Sequence, residues 1–222
     1  MQVDGMKDAR PFFPSYTRAE QIADAGVHAA GVTFAAVASV WLLVEAAGAV
    51  SGAHLAAVIV YCLGLVAMFS ASAAYNLAPE RRAKELLRRA DHAAIFVMIA
   101  GSYTPFAVVV GGGAGIGMLV AVWAIAALGV FVKLRFPRRF DRLCVALYLA
   151  QGWIVLAALR PLVRALPEDA LTLLVAGGVV YTAGVPFHLM EWMRFHNVIW
   201  HVFVLAGAAT QFFAIRAAVF PS

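Results

Sequence analysis

His201 and Asn197 stand four residues apart in FHNVIWHVFVLAG, and about 40° on a helix separates them, so they share a face. An imidazole there is a metal ligand or a base, and the amide is its hydrogen-bonding neighbour. His196 precedes His201 by five residues, which puts the two rings about 140° apart, so a regular helix cannot chelate one ion with both. Ser72 and Asn76 in SAAYN also lie four apart, with Tyr75 beside them. Asp91 and His92 occur in LLRRADHAAIF, where Asp91 shares a face with Ile95, Met98 and Ser102. Each group has a plainer reading beside the chemical one. Small polar groups bond neighbouring helices, a carboxylate caps a helix start, and a lone histidine packs as a hydrogen-bonded residue.

Two looser patterns join these. Glu20, Asp24 and His28 follow one another at four-residue steps on one face. Their run begins at a water boundary, so a solvated first turn accounts for Glu20 and Asp24, while His28 lies deeper and bonds another helix. His188 and Glu191 are three apart, and solvation at the interface satisfies both.

The elements that carry these residues cross a membrane. The chain has 222 residues, 64% of them hydrophobic and only 13% charged, with a mean hydropathy of +0.86. A soluble domain of this size leaves too much surface in water to hide that apolar content. Seven runs are long enough to span a bilayer, approximately 24–48, 54–76, 91–110, 116–134, 143–159, 170–187 and 198–219. SGA, Pro79, GGGAG, FPRR and Pro167 punctuate them. The expected fold is an all-α, seven-transmembrane helix bundle forming one domain over 1–222. Cys62 and Cys144 fall inside apolar runs and read as buried thiols. The N-terminal stretch has no apolar core with a cleavage site, so it is not read as a signal peptide.

Lysine and arginine set the expected orientation. With seven spans, fourteen of the seventeen fall on one side, and only Arg160, Arg164 and Arg216 on the other. The rich side is cytoplasmic, which places the N-terminus inside and the C-terminus outside. The net charge of +5 therefore reflects topology, and no nucleic-acid partner is expected. The same orientation places Ser72, Asn76, Asp91, Asn197 and His201 in the cytoplasmic half of a multi-pass protein of the plasma (inner) membrane. Ionisable groups at that depth are costly and mark function by default.

In order and position, these clusters resemble the hemolysin III family, part of the progestin and adipoQ receptor group and related to alkaline ceramidases. SAAYN, RRADHAAIFVMIAGSYTP and HNVIWHVFVLAG carry the match, and EQIADAGVHAAG carries it more loosely. The resemblance implies a zinc site near the cytoplasmic face: SxxxH from span two, an Asp from span three that holds a metal-bound water, and HxxxH from span seven. Ser72, Asp91 and His201 match their family positions, with Asp91 and Ser72 the implied catalytic residues. Asn76 and Asn197 stand where the family has His. The implied metal positions are thus Asn76, Asp91, Asn197 and His201. A neutral amide is a poor zinc donor, so weak or absent zinc is expected, with the pocket held by hydrogen bonds. The resemblance implies a role in membrane-lipid homeostasis, with membrane lipid as partner. A metal-dependent hydrolase of lipid amides or esters is one alternative and a pore-forming hemolysin another, although no span carries a repeated polar stripe. A retinal protein is excluded, since no Lys follows Lys133. A G-protein-coupled receptor would run the opposite way.

Overall fold

The computed structural model describes residues 16–79, 82–136 and 138–220, and all its regular elements are helical. Met1–Ser15, which carries Lys7, Arg10 and the stretch read as no signal peptide, lies outside the described residues. So do Arg81, Pro137 and Ser222. The helices are α1 (Arg18–Ala46), α2 (Gly52–Leu77), α3 (Arg82–Val110), α4 (Gly112–Arg135), α5 (Asp141–Gly152), α6 (Leu159–Ala165), α7 (Glu168–Leu189) and α8 (His196–Val219). Six are long and apolar enough to cross a membrane, and α5 with α6 makes a seventh if that bent pair is one span. The transmembrane helical bundle expected from the sequence is therefore the observed architecture.

Local sequence explains where the helices begin. Thr17 and Glu20 form a capping box on α1: the Thr17 hydroxyl accepts from the Glu20 N–H at 3.3 Å, and the Glu20 carboxylate accepts from the Thr17 N–H at 2.8 Å. Between α3 and α4 the chain reverses through Gly111 and Gly112, both in the left-handed region, with φ of 64° and 55°. Three residues on, a Cβ at Gly115 would lie 2.3 Å from the Ala107 carbonyl oxygen, so the two helices meet backbone to backbone. Only a residue without a side chain permits that approach.

α3 is the most buried of the spans and packs against α2, α4, α5, α6 and α8, while α1 packs on α2 and α8. Leu42, Val58, Leu65, Phe96, Phe106, Val122, Phe212 and Ile215 fill the core. Val40, Val44, Leu63, Val120 and Phe131 face outward, as suits a bundle whose solvent is lipid.

The fifth span departs from a plain helix. The run expected at 143–159 breaks after Gly152 into a 3₁₀ turn, Ile154–Leu156, and α6 leaves at 54°. Interior hydrogen bonds hold the break. The Tyr103 hydroxyl donates to the Gly152 carbonyl and accepts from the Val155 N–H at 3.2 Å. Just before it, buried Gln151 donates to the Phe96 and Val122 carbonyls at 3.0 and 3.1 Å. Backbone groups freed at membrane depth are thus satisfied by protein, the condition for irregular structure there.

Charge is segregated as well. Near the α3 start, Glu85 pairs with Arg138 at 2.8 Å, and Asp141 pairs with Lys133 at 2.6 Å. At the last turns of α1 and α8, Glu45 pairs with Arg216 through two bonds of 2.9 and 2.7 Å.

Candidate functional site

The first and last spans meet at a carboxylate. Asp24 on α1 accepts through Oδ1 from His201 Nδ1 at 2.9 Å and from Asn197 Nδ2 at 3.3 Å, both on α8. Its Oδ2 lies 3.3 Å from His28 Nε2, one turn along α1. The rings of His28 and His201 are 4.4 Å apart, centre to centre. Asn197 Nδ2 also donates to Asn76 Oδ1 at 3.2 Å, and Asn76 Nδ2 donates to the Ser72 carbonyl at 3.0 Å. Ser72 and Asp91 on α3 line the same cavity, and the Asp91 carboxylate is within electrostatic reach of Ser72, His201 and His28. Four helices thus contribute to one continuous polar network.

Ser72, Asn76, Asp91, Asn197 and His201, singled out from the sequence, all lie in this network. Asp91 does not cap a helix, because α3 begins at Arg82 and Asp91 sits more than two turns inside it. Its carboxylate is buried and serves the pocket instead. His196 begins α8 and faces Tyr16, 6.0 Å between ring centres, rather than Asp24. His188 packs on Trp200 and Glu191 is exposed.

The looser pattern on α1 proves to be central. Glu20, Asp24 and His28 are all buried, so a solvated first turn does not describe them. Glu20 Oε1 accepts the Phe195 N–H at 2.9 Å and ties the two helix starts together. Asp24, His28 and His201 each offer a ligand atom within 4.8 Å of one another. The four-residue spacing from Asp24 to His28 was the available signal for this group; what the sequence lacked was the depth of Asp24, which α8 covers.

The zinc implied by the resemblance fits this triad. Two imidazoles and a carboxylate are a known three-ligand set for zinc that leaves one position open. His28 Nε2 is buried and lies 3.3 Å from Asp24 Oδ2, so carboxylate and imidazole already face each other at the spot an ion would take. Asn76 and Asn197 fit poorly as ligands, being engaged with each other and, through Asn197, with Asp24.

The network opens on a cavity of about 1420 Å³. Polar and basic groups, including Lys84, Arg88 and Arg194, line it together with the apolar Met68, Met98 and Phe106. It reaches Gln211, ten residues beyond His201 on α8, a rise of about 15 Å. Tyr16 also lines the cavity, and burial with the nearby Tyr75, Asp24 and Glu191 pushes its phenol above the ordinary value. It stays a neutral hydrogen-bonding group at physiological pH.

Comparison with known proteins places this arrangement. The model of the family described as haemolysin-III related matches residues 17–212, nearly the whole chain. The chain belongs to the hemolysin III family. Its relatives include a hemolysin-3 homolog of Bacillus subtilis, 34% identical across 90% of this chain and 94% of the relative. Hemolysin-3 of Bacillus cereus is 32% identical, across 91% of this chain and 93% of its own. A heptahelical transmembrane protein of rice, ADIPOR2, is 32% identical over 70% of this chain and 79% of its own. The hemolysin III family membership and the helical bundle together make this a multi-pass membrane protein.

Proposed function

We propose that this hemolysin III-family protein takes a membrane lipid into its cavity, polar group toward Asp24 and His201, and acts in membrane-lipid homeostasis. The shape of the cavity carries the reading. Largely apolar walls, with Met68, Met98, Phe106 and Val204 among them, extend about 15 Å along α8, half of the ~30 Å hydrocarbon core, and include a charged, hydrogen-bonding cluster at one end. An amphiphile matches both ends at once. With fourteen of seventeen basic side chains assigned to the cytoplasmic side, the cluster faces the cytoplasm and the lipid enters from that leaflet. The test is lipid extraction from detergent-purified protein beside Val204→Trp, which narrows the cavity one turn beyond His201. The unmodified protein should carry lipid in stoichiometric amount and the variant little. Equal amounts in both would contradict the proposal.

One observation favours a second reading, hydrolysis of a lipid amide or ester. Asp91 lines the same cavity as the triad, within electrostatic reach of His201, His28 and Ser72. Zinc held by Asp24, His28 and His201 would polarise the lipid carbonyl. Asp91 would take the proton of an attacking water and return it to the departing amine or alcohol as the acyl C–N or C–O bond breaks, and Ser72 would orient that carboxylate. Release of free fatty acid, lost in Asp91→Asn, is the expected outcome. A pore finds no support in the described spans, whose site residues cluster at one end of the bundle.

A further inference from the structure

We infer that zinc in this protein is held by Asp24, His28 and His201, and that Asn76 and Asn197 act as positioning residues for Asp24 rather than as ligands. The inference concerns the same site as the lipid reading, but it does not require lipid to enter the cavity. The ligand positions of the family resemblance leave His201 as the single matching imidazole. Two features make good that loss. His28 brings a second imidazole from α1, buried to 3% exposure, with its Nε2 turned toward the Asp24 carboxylate. Asp24 brings a carboxylate whose oxygens lie 2.9 Å from His201 Nδ1 and 3.3 Å from His28 Nε2. Donors around one tetrahedral ion at ordinary zinc bond lengths sit about 3.3 Å apart. The triad is therefore near its ligating separation already.

The asparagines have a definite task in this arrangement. Asn76 is anchored on the Ser72 carbonyl, its side-chain oxygen receives Asn197 Nδ2, and Asn197 Nδ2 reaches Asp24 Oδ1. An imidazole at 197 would bring a different donor geometry, while an amide lets one NH₂ group bond two acceptors. The chain of amides thus fixes one oxygen of the carboxylate, as outer partners of metal ligands do. The proposed ligand set is thus carried by α1 and α8 alone.

The test is zinc titration and zinc-edge X-ray absorption on the detergent-purified full chain, stripped with chelator and reloaded with zinc alone. The unmodified protein should take up one zinc, with two imidazoles in its coordination shell. His28→Gln should reduce that count to one, and Asp24→Asn should abolish stoichiometric uptake. Asn197→Ala should keep one zinc and two imidazoles while weakening affinity about 10- to 100-fold, the usual cost of an outer partner. Failure of the unmodified protein to take up zinc overturns the inference, as does an imidazole count unchanged in His28→Gln. Helical circular dichroism and elution volume establish that each variant is folded. If Asp24→Asn does not fold, the imidazole count in His28→Gln decides. Loss of lipid binding with zinc intact would sink the lipid proposal and leave this one standing.

Discussion

Asp24 and Asn197 are each a single functional group doing two things, and that makes the pocket sensitive to small changes. Asn76→His with Asn197→His would place three imidazoles, with His201, at the positions where the family resemblance puts them. The double variant should bind zinc more tightly and gain thermal stability on zinc addition, since a ligand that prefers the folded state stabilises it by mass action. A variant that binds zinc no better than the parent would mean that the α8 face at 197 cannot present an imidazole. Glu20 gives a second test at this scale. It caps α1 and also accepts the Phe195 N–H at the start of α8. Glu20→Ala should lower the thermal midpoint in detergent and loosen zinc binding together, because the same carboxylate sets how α1 and α8 meet. Much of the site was legible from sequence, since Ser72, Asn76, Asn197 and His201 share faces at four-residue spacing. Asp24 was not. Its neighbour Glu20 lies at an apparent water boundary, and only the covering turn of α8, from a distant part of the chain, removes that water.

Helix spacing gave the spans but not their interruptions. Hydropathy sees 143–159 as one apolar run and cannot see that it bends, because the group that holds the break is Tyr103, on α3. Tyr103→Phe should therefore cost about 1–3 kcal/mol, the price of leaving a buried backbone group unsatisfied. Thermal unfolding in detergent measures it, and no loss would mean the bend holds itself. The start of α3 was equally hidden: its apolar run begins near Asp91, but the charged segment before it is rich in Ala, Leu, Lys and Arg and extends the helix back to Arg82. At the α3–α4 reversal the prediction is steric. A Cβ at Gly115 meets a backbone carbonyl, which cannot swing aside as a side chain would. Gly115→Val should destabilise by about 1–3 kcal/mol, while Gly117→Val, with open space at its Cβ, should not.

For the whole molecule, the prediction is orientation. Fourteen of seventeen Lys and Arg fall on one side of a seven-span reading, which requires α5 and α6 to act as one bent crossing. Reporter fusions after Gly113 and Ser222 should then read outside, and fusions after Arg82 or Arg139 cytoplasmic. A cytoplasmic C-terminus would mean that the bent pair re-enters instead of crossing. The bundle itself was readable because apolar length is a strong signal, whereas the packing order around α3 was not, since it depends on side-chain fit between distant spans.

The meeting of α1 and α8 bears on how the protein is made. Asp24 and His201 are 177 residues apart, and Glu20 and Phe195 are 175 apart. A chain emerging from the ribosome commits α1 to the bilayer long before its partner exists. Until then Asp24 and His28 have only each other as partners, one turn apart on α1, and lack His201 and Asn197. The pocket is thus completed at the final stage of membrane insertion, when α8 arrives. A product truncated before α8 keeps a carboxylate and an imidazole on its first helix without the His201 and Asn197 groups that complete the pocket.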